Sequence, residues 1–433
     1  MLMCYATFLI TNGCIETESS LMENGLKSGL PPSHLRELYY ITHIDNVASI
    51  LKNGILSHTQ IEKNKIKYTP IYDKEIVNRR EGITTPDGRS LWCFANLYFN
   101  PRNPMLYRVV CEQLHRKIAV IGVALEMLRC KDAFLTTGNA AHSQSKIMPY
   151  SKKALSQILG DTDIVWWIED DGSKRKIMAE YLITDKVPSE CITSIYVSGH
   201  VARDNLEKSL GAMSHPPVIP MPGMFFQPIK YKPLTPRLAL VQGDMFFSRM
   251  QTITISVNTV RVMGKGVASR AKYQFPRVYV EYQEVCRSRQ LKMGKPYLYK
   301  PEKSVDIELL DEPASSKCAR PATWFLLFPT KRDWRDKADI EGIEKGLIWL
   351  WENYKKEGIE SLALPALGCG LGRLNWKDVG PLMCKYLCDM NIPTSIYLPA
   401  EKEVPDEYLT CDFLLPKGSQ LVTNSTSVSH GDA

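Results

Sequence analysis

Long apolar runs are missing from this 433-residue chain: the longest, such as Trp324 to Phe328 and Leu347 to Trp351, fall far short of the roughly 18 residues a membrane helix needs. No membrane partner is expected. A strong charge imbalance is missing too, since 54 Lys and Arg stand against 47 Asp and Glu. Division after Met213 leaves each half mildly positive. Neither carries a polybasic tail, so any contact with a polyanion must come from a local groove. Met1 to Ile10 lacks the basic start and small-residue cleavage site of a secretory signal, which makes the expected location cytoplasmic. The 12 cysteines include no C-x-x-C pair, and Cys384 and Cys388 have no histidines at finger spacing. Free thiols and no metal are expected. Internal repeats are absent.

What is present is a globular composition, with 44% hydrophobic and 23% charged residues, in a chain too long for one core of about 250–300 residues. Ser214 to Pro236 reads SHPPVIPMPGMFFQPIKYKPLTP, where clustered prolines remove backbone donors. The resulting division is a 1–35 extension, a 36–213 domain, a 214–236 proline-rich linker, a 237–415 domain and a 416–433 flexible tail.

In the first domain Val47, Ile50 and Leu51 recur at helical spacing before Gly54, whereas Lys117 to Leu125, IMAEYLI around Glu180, and Ile192 to Val197 read as strands. In the second, strand-like TITISVNTV (252–260) leads through MGKG into a helix. Trp324 to Phe328 and Ser361 to Leu367 are strands flanking a helix with Ile340, Ile343, Leu347 and Trp351 on one face. This is the alternation of parallel α/β layers.

The strand LALPAL (362–367) runs into Gly368-Cys369-Gly370-Leu371-Gly372 ahead of a helix. Three glycines within five residues let backbone amides turn toward a phosphate, and the helix N-terminus adds a favourable field. No Gly-Lys-Ser/Thr follows, so this is not a Walker A loop. Gly264-Lys265-Gly266 repeats the logic after Asn258, pointing to one shared crevice.

GDMF (243–246), VNTVRVMGKGVASRAKYQFP (257–276), FPTKRDWR (328–335) and ALPALGCGLGRLNW (363–376) together resemble the macrodomains of the DarG branch of DNA-ADP-ribose hydrolases. The resemblance implies a three-layer α/β domain with a mixed sheet and an ADP-ribose pocket. It places Asp244 near the adenine, Asn258 near the distal ribose, and the Gly264–Gly266 and Gly368–Gly372 loops, with Cys369, Gly370 and Leu371, around the diphosphate. Lys331 matches the lysine assigned to hydrolysis. Some relatives carry an Asp in the glycine loop where this chain has Gly372, which leaves the lysine as the catalytic group.

In the first domain YYITHIDNVASILKNGIL (39–56), LYFNPRNPMLY (97–107) and KIMAEYLI (176–183) resemble the DarT family, α+β transferases that move ADP-ribose from NAD onto bases of single-stranded DNA. The resemblance puts Tyr40, Thr42, His43 and Asn46 in the motif lining the NAD pocket, Tyr40 standing where many members have His. Glu180 matches the transferase glutamate, and its arginine partner falls at Arg79 or Arg80. Such a carboxylate can stabilise an oxocarbenium-like carbon and accept the proton of the attacking base. Arg102 and Arg108 would suit a groove for single-stranded DNA.

The expectation is a writer and its eraser fused in one polypeptide, with NAD, ADP-ribose, single-stranded DNA and ADP-ribosylated DNA as ligands and with room for contact between the domains. The rival reading is an ADP-ribose-reading macrodomain joined to a degenerate, DNA-binding transferase. NAD consumption by the first half separates the two.

Overall fold

The computed structural model describes residues 35–416 except 73, 170, 303, 312–321 and 400–402, so the expected extension and tail lie almost entirely outside the described residues. Two large sheets dominate. The first orders its strands Val218–Pro220, Ile192–Val197, Ile118–Ala124, Glu37–His43, Phe94–Tyr98, Glu180–Thr184, Ala133–Thr136 and Ile147–Pro149. Apart from the parallel outer pair it is antiparallel. IAVIGVA (118–124) is apolar at every position and lies near the middle, as a strand covered on both faces must. The helix Val47–Asn53 stops at Gly54, whose φ of 85° needs no Cβ.

The second sheet orders Lys230–Pro233, Leu238–Gln242, Thr394–Tyr397, Leu362–Pro365, Thr252–Asn258, Trp324–Lys331 and Tyr297–Tyr299. Its five inner strands are parallel and its two edges antiparallel. Along Trp324–Lys331, Phe325 and Leu327 enter one core while Leu326 and Phe328 enter the other. Helices Gly266–Gln274 and Pro276–Arg287 cover one face and Ile340–Glu357 and Trp376–Leu387 the other, which makes three layers. The chain is thus an α+β domain followed by an α/β domain with a mixed sheet.

Two expectations change. The proline-rich 214–236 is shared between the sheets instead of linking them. Val218–Pro220 extends the first sheet, Met224 and Phe225 are buried, and Lys230–Pro233 is an edge of the second. Prolines at strand ends and edges cost no ladder bonds, which is why a proline-dense segment can still be ordered. On Ile340–Glu357 the buried stripe is Ile343, Gly346, Leu347, Leu350 and Tyr354; Ile340 and Trp351 are exposed. Gly346 shifts the stripe because the Phe328 ring packs where its Cβ would stand, 2.5 Å from Cζ.

The halves share one core. Tyr107, Trp167 and Phe226 of the first pack ring to ring with Phe247 of the second, at centroid separations of 4.6–5.7 Å. Helix Pro104–Glu112, capped by Asn103 accepting from the Leu106 amide, is buried from Pro104 through Val110.

Candidate functional site

In the first half Glu180 opens its strand directly opposite Tyr98, with no exposed surface. A buried carboxylate needs charge-assisted partners, and it has them. Arg80 Nη1 donates to Oε1 at 3.2 Å and Nη2 to Oε2 at 2.7 Å, while the Ala140 amide donates to Oε1 at 2.9 Å. Burial lowers the affinity of the Arg80 guanidinium for its proton, but the Glu180 charge and hydrogen bonds outweigh it and raise the net value. Between Arg79 and Arg80, geometry selects Arg80 as the partner.

Beside this pair an open cleft is lined by Tyr40, Thr42, Asn46, Tyr68, Tyr72 and Tyr98 among others. Tyr40, half-buried and next to Tyr68, has its hydroxyl pKa pushed up to about 12 by desolvation and so stays a neutral donor. Asn46 clamps the wall: its amide donates to Thr69 O at 2.8 Å and Thr42 Oγ1 at 3.1 Å, and it accepts from the Thr69 amide at 2.7 Å.

His43 does not line the cleft. Its Nδ1 accepts from the Asp45 amide at 3.2 Å and caps the 44–46 turn, with burial pulling its pKa below the usual value against the opposing pull of Asp45. Arg102 and Arg108 also depart from expectation. Both are buried between the halves, Arg102 on Asp244 at 3.1 Å and Arg108 on Asp311 at 2.6 Å, so neither faces a DNA groove. A run of seven buried helical positions has no solvent face on which a cation could meet DNA.

In the second half, three loops follow the C-terminal ends of parallel strands. Lys331 ends its strand with Nζ donating to the carbonyls of Asp336 at 3.0 Å, Leu371 at 3.3 Å and Trp334 at 3.5 Å. Partial burial and the neighbouring Arg373 lower its ammonium pKa, against Asp336. The glycine loop folds tightly: Gly368 has φ 73°, and a Cβ on Gly372 would stand 2.4 Å from the Gly368 carbonyl oxygen. Gly266, at φ 61°, faces Leu371 across the crevice, whereas a Cβ at Gly264 would meet nothing closer than 3.8 Å. Gly370 and Leu371 are exposed and Cys369 buried. Asn258 spends its side chain on its own loop, donating to Val262 O at 2.6 Å and accepting from Tyr282 Oη at 2.8 Å. Asp244 takes two bonds from Arg270 at 2.7 and 2.8 Å besides that from Arg102.

The sequence reading did not anticipate the Ala140 amide, Tyr98 or Tyr282. The Gly138-Asn139 turn signal just ahead of Ala140 was available; the cross-strand register that sets Tyr98 against Glu180 was not.

Residues 39–226 match the family model of the ssDNA thymidine ADP-ribosyltransferase DarT, and residues 314–383 that of the Macro domain. Over 382 residues the chain is 54% identical to the DNA ADP-ribosyl transferase-DNA ADP-ribosyl glycohydrolase fusion protein of Thermosipho africanus, covering 88% of this chain and 98% of that one. A DNA ADP-ribosyl glycohydrolase of Mycobacterium tuberculosis is 33% identical over 137 residues, 32% of this chain and 35% of its own. The solved structure of Thermosipho africanus DarTG in complex with ADP-ribose superposes with a TM-score of 0.83 at 52% identity, covering 88% of this chain and 99% of that one. The chain belongs to the family of fused DNA ADP-ribosyl transferases and DNA ADP-ribosyl glycohydrolases.

Proposed function

We propose that the first half transfers ADP-ribose from NAD to a thymidine base of single-stranded DNA and that the second half hydrolyses the product, both in the cytoplasm. The observation that carries the writing half is the buried Arg80–Glu180–Ala140 cradle beside an aromatic cleft. Glu180 faces the carbon that loses nicotinamide: the glycosidic bond breaks, its electron pair leaves with nicotinamide, and negative charge stabilises the cationic sugar. As the base nitrogen bonds to that carbon, its proton passes to the carboxylate. Arg80 keeps Glu180 oriented and ionised until then, and Tyr40, Thr42 and Asn46 shape the cleft that holds NAD. A single strand needs no base extrusion.

In the second half the Gly264–Gly266 and Gly368–Gly372 loops hold the diphosphate through backbone amides. Asn258 borders the distal ribose, and Asp244, oriented by Arg102 and Arg270, borders the adenine. Lys331 gives up a proton and its neutral amine attacks the anomeric carbon; the bond to the base breaks, the base leaves with the electron pair and takes up a proton, and water then cleaves the lysine adduct to release ADP-ribose and restore the amine. A degenerate transferase has no need of a buried bidentate carboxylate pair, which favours the active reading. Incubating the chain with NAD and a single-stranded oligonucleotide, then weighing the oligonucleotide, tests it: a transient gain of one ADP-ribose supports the reading, and no gain even in the Lys331→Ala variant contradicts it.

A further inference from the structure

The rim of the second pocket has an unusual surface. Its three loops are joined near Lys331: Thr259 donates from its amide to Arg332 O at 3.0 Å, and the Lys331 amine reaches Leu371 O at 3.3 Å. On this rim two large apolar side chains stand in solvent, Trp334 at 55% and Leu371 at 58% exposure. Their backbones meet at the Lys331 amine, which bonds to both carbonyls, and large apolar groups left in solvent on one rim mark a binding surface more than a fold requirement.

Around them the charge is predominantly positive. Arg261, Lys265, Arg332, Arg335, Lys337 and Arg373 are all exposed, against three acids of the same loops, Asp333, Asp336 and Asp339, the last of which caps helix Ile340–Glu357. Asp333 is already engaged by Arg335, whose guanidinium also sits 5.3 Å from the Trp334 ring centroid. An exposed indole amid cations is what an unpaired nucleic-acid strand requires: a face on which a base can stack, and charge to neutralise the flanking phosphates. A free ADP-ribose, its diphosphate already held by the glycine loops, has no use for cations outside the pocket.

We infer that Trp334 is a stacking platform for the DNA strand flanking the modified base, and that the surrounding arginines and lysines hold that strand's phosphates while Lys331 acts. The inference rests on the second half being a hydrolase of ADP-ribosylated DNA, and it names the strand-binding residues of that site. Trp334 acts as a specificity-determining residue; the reacting sugar is left to Lys331.

The test uses the full chain carrying Glu180→Gln, so that nothing is rewritten, and compares two substrates: an ADP-ribosylated single-stranded oligonucleotide and the ADP-ribosylated nucleoside without a strand. With Trp334 in place, KM for the oligonucleotide is expected about tenfold below that for the nucleoside, the scale of one base–aromatic stack. Trp334→Ala should remove most of that difference, leaving the salt-sensitive part held by the cations, without changing kcat or the nucleoside KM; Trp334→Phe should restore most of it, and added salt should weaken only the oligonucleotide. An unchanged strand preference in Trp334→Ala overturns the inference, as does an equal loss on both substrates, which would mark Trp334 as loop packing. Failure of the chain with Trp334 intact to hydrolyse either substrate overturns the inference together with the hydrolase reading itself, a different result from hydrolysis without strand preference.

Discussion

Arg102 of the first half and Asp244 of the second form an ion pair at 3.1 Å, with the Arg102 guanidinium stacked 4.5 Å from Phe226 and 4.6 Å from Phe247, one ring from each half. The eraser is therefore docked on the writer through a polar contact set in an aromatic core. Arg102 lies in the loop leading to helix Pro104–Glu112, whose Met105 lines the aromatic cleft of the first half, so the contact lies within one helix of that cleft.

Removing that pair should loosen the docking. Breaking a buried pair by deleting one partner costs about 3–5 kcal/mol, and Arg270, which remains on Asp244, brings Arg102→Ala to the lower end. Thermal unfolding should shift down for Arg102→Ala and less for Arg102→Lys, and unfolding without change in Arg102→Ala would contradict the assignment.

The same contact predicts an acid limit. Burial pushes the Asp244 carboxyl pKa up, but Arg270 and then Arg102 outweigh it and hold it below 3.8. A carboxyl lowered on folding contributes stability that is present above 3.8 and is lost as pH falls through its folded value. Stability measured against pH should show this loss at the acid end, and Asp244→Asn should flatten it.

Arg80 and Arg79 should separate cleanly. Arg80→Ala leaves Glu180 buried without its bidentate partner and is expected to lower transfer by about 100-fold or more, while Arg79→Ala lowers it far less. Rates of oligonucleotide labelling decide; equal losses would contradict the structural choice between them.

Gly372→Ala should distort the pocket, since its Cβ would stand 2.4 Å from the Gly368 carbonyl oxygen. Overpacking of this kind costs about 1–3 kcal/mol, and ADP-ribose affinity measured by calorimetry should fall with it. Gly264→Ala, with 3.8 Å of clearance, should melt close to the parent.

Strands were legible wherever β-branched residues ran together, as in Lys117 to Leu125, and the glycine loops announced themselves because a tight turn after a strand restricts the residue types allowed. The Arg80–Glu180 pair was half legible: the glutamate stood out by resemblance, but the choice between adjacent arginines depends on helix phase, which one residue changes by 100°. The interdomain core was not legible. Met224, Phe225 and Phe226 sit among prolines and read as linker, and Arg102 and Arg108 read as solvent-facing, because burial against a distant segment leaves no local pattern.

The most direct test of a writer and eraser in one chain is the time course of oligonucleotide modification with NAD for the parent, Glu180→Ala, Lys331→Ala and the double variant. The account predicts a low, transient signal in the parent, steady accumulation in Lys331→Ala, and none in either variant lacking Glu180. Accumulation in Lys331→Ala no greater than in the parent, or labelling by Glu180→Ala at the parent's rate, would contradict it.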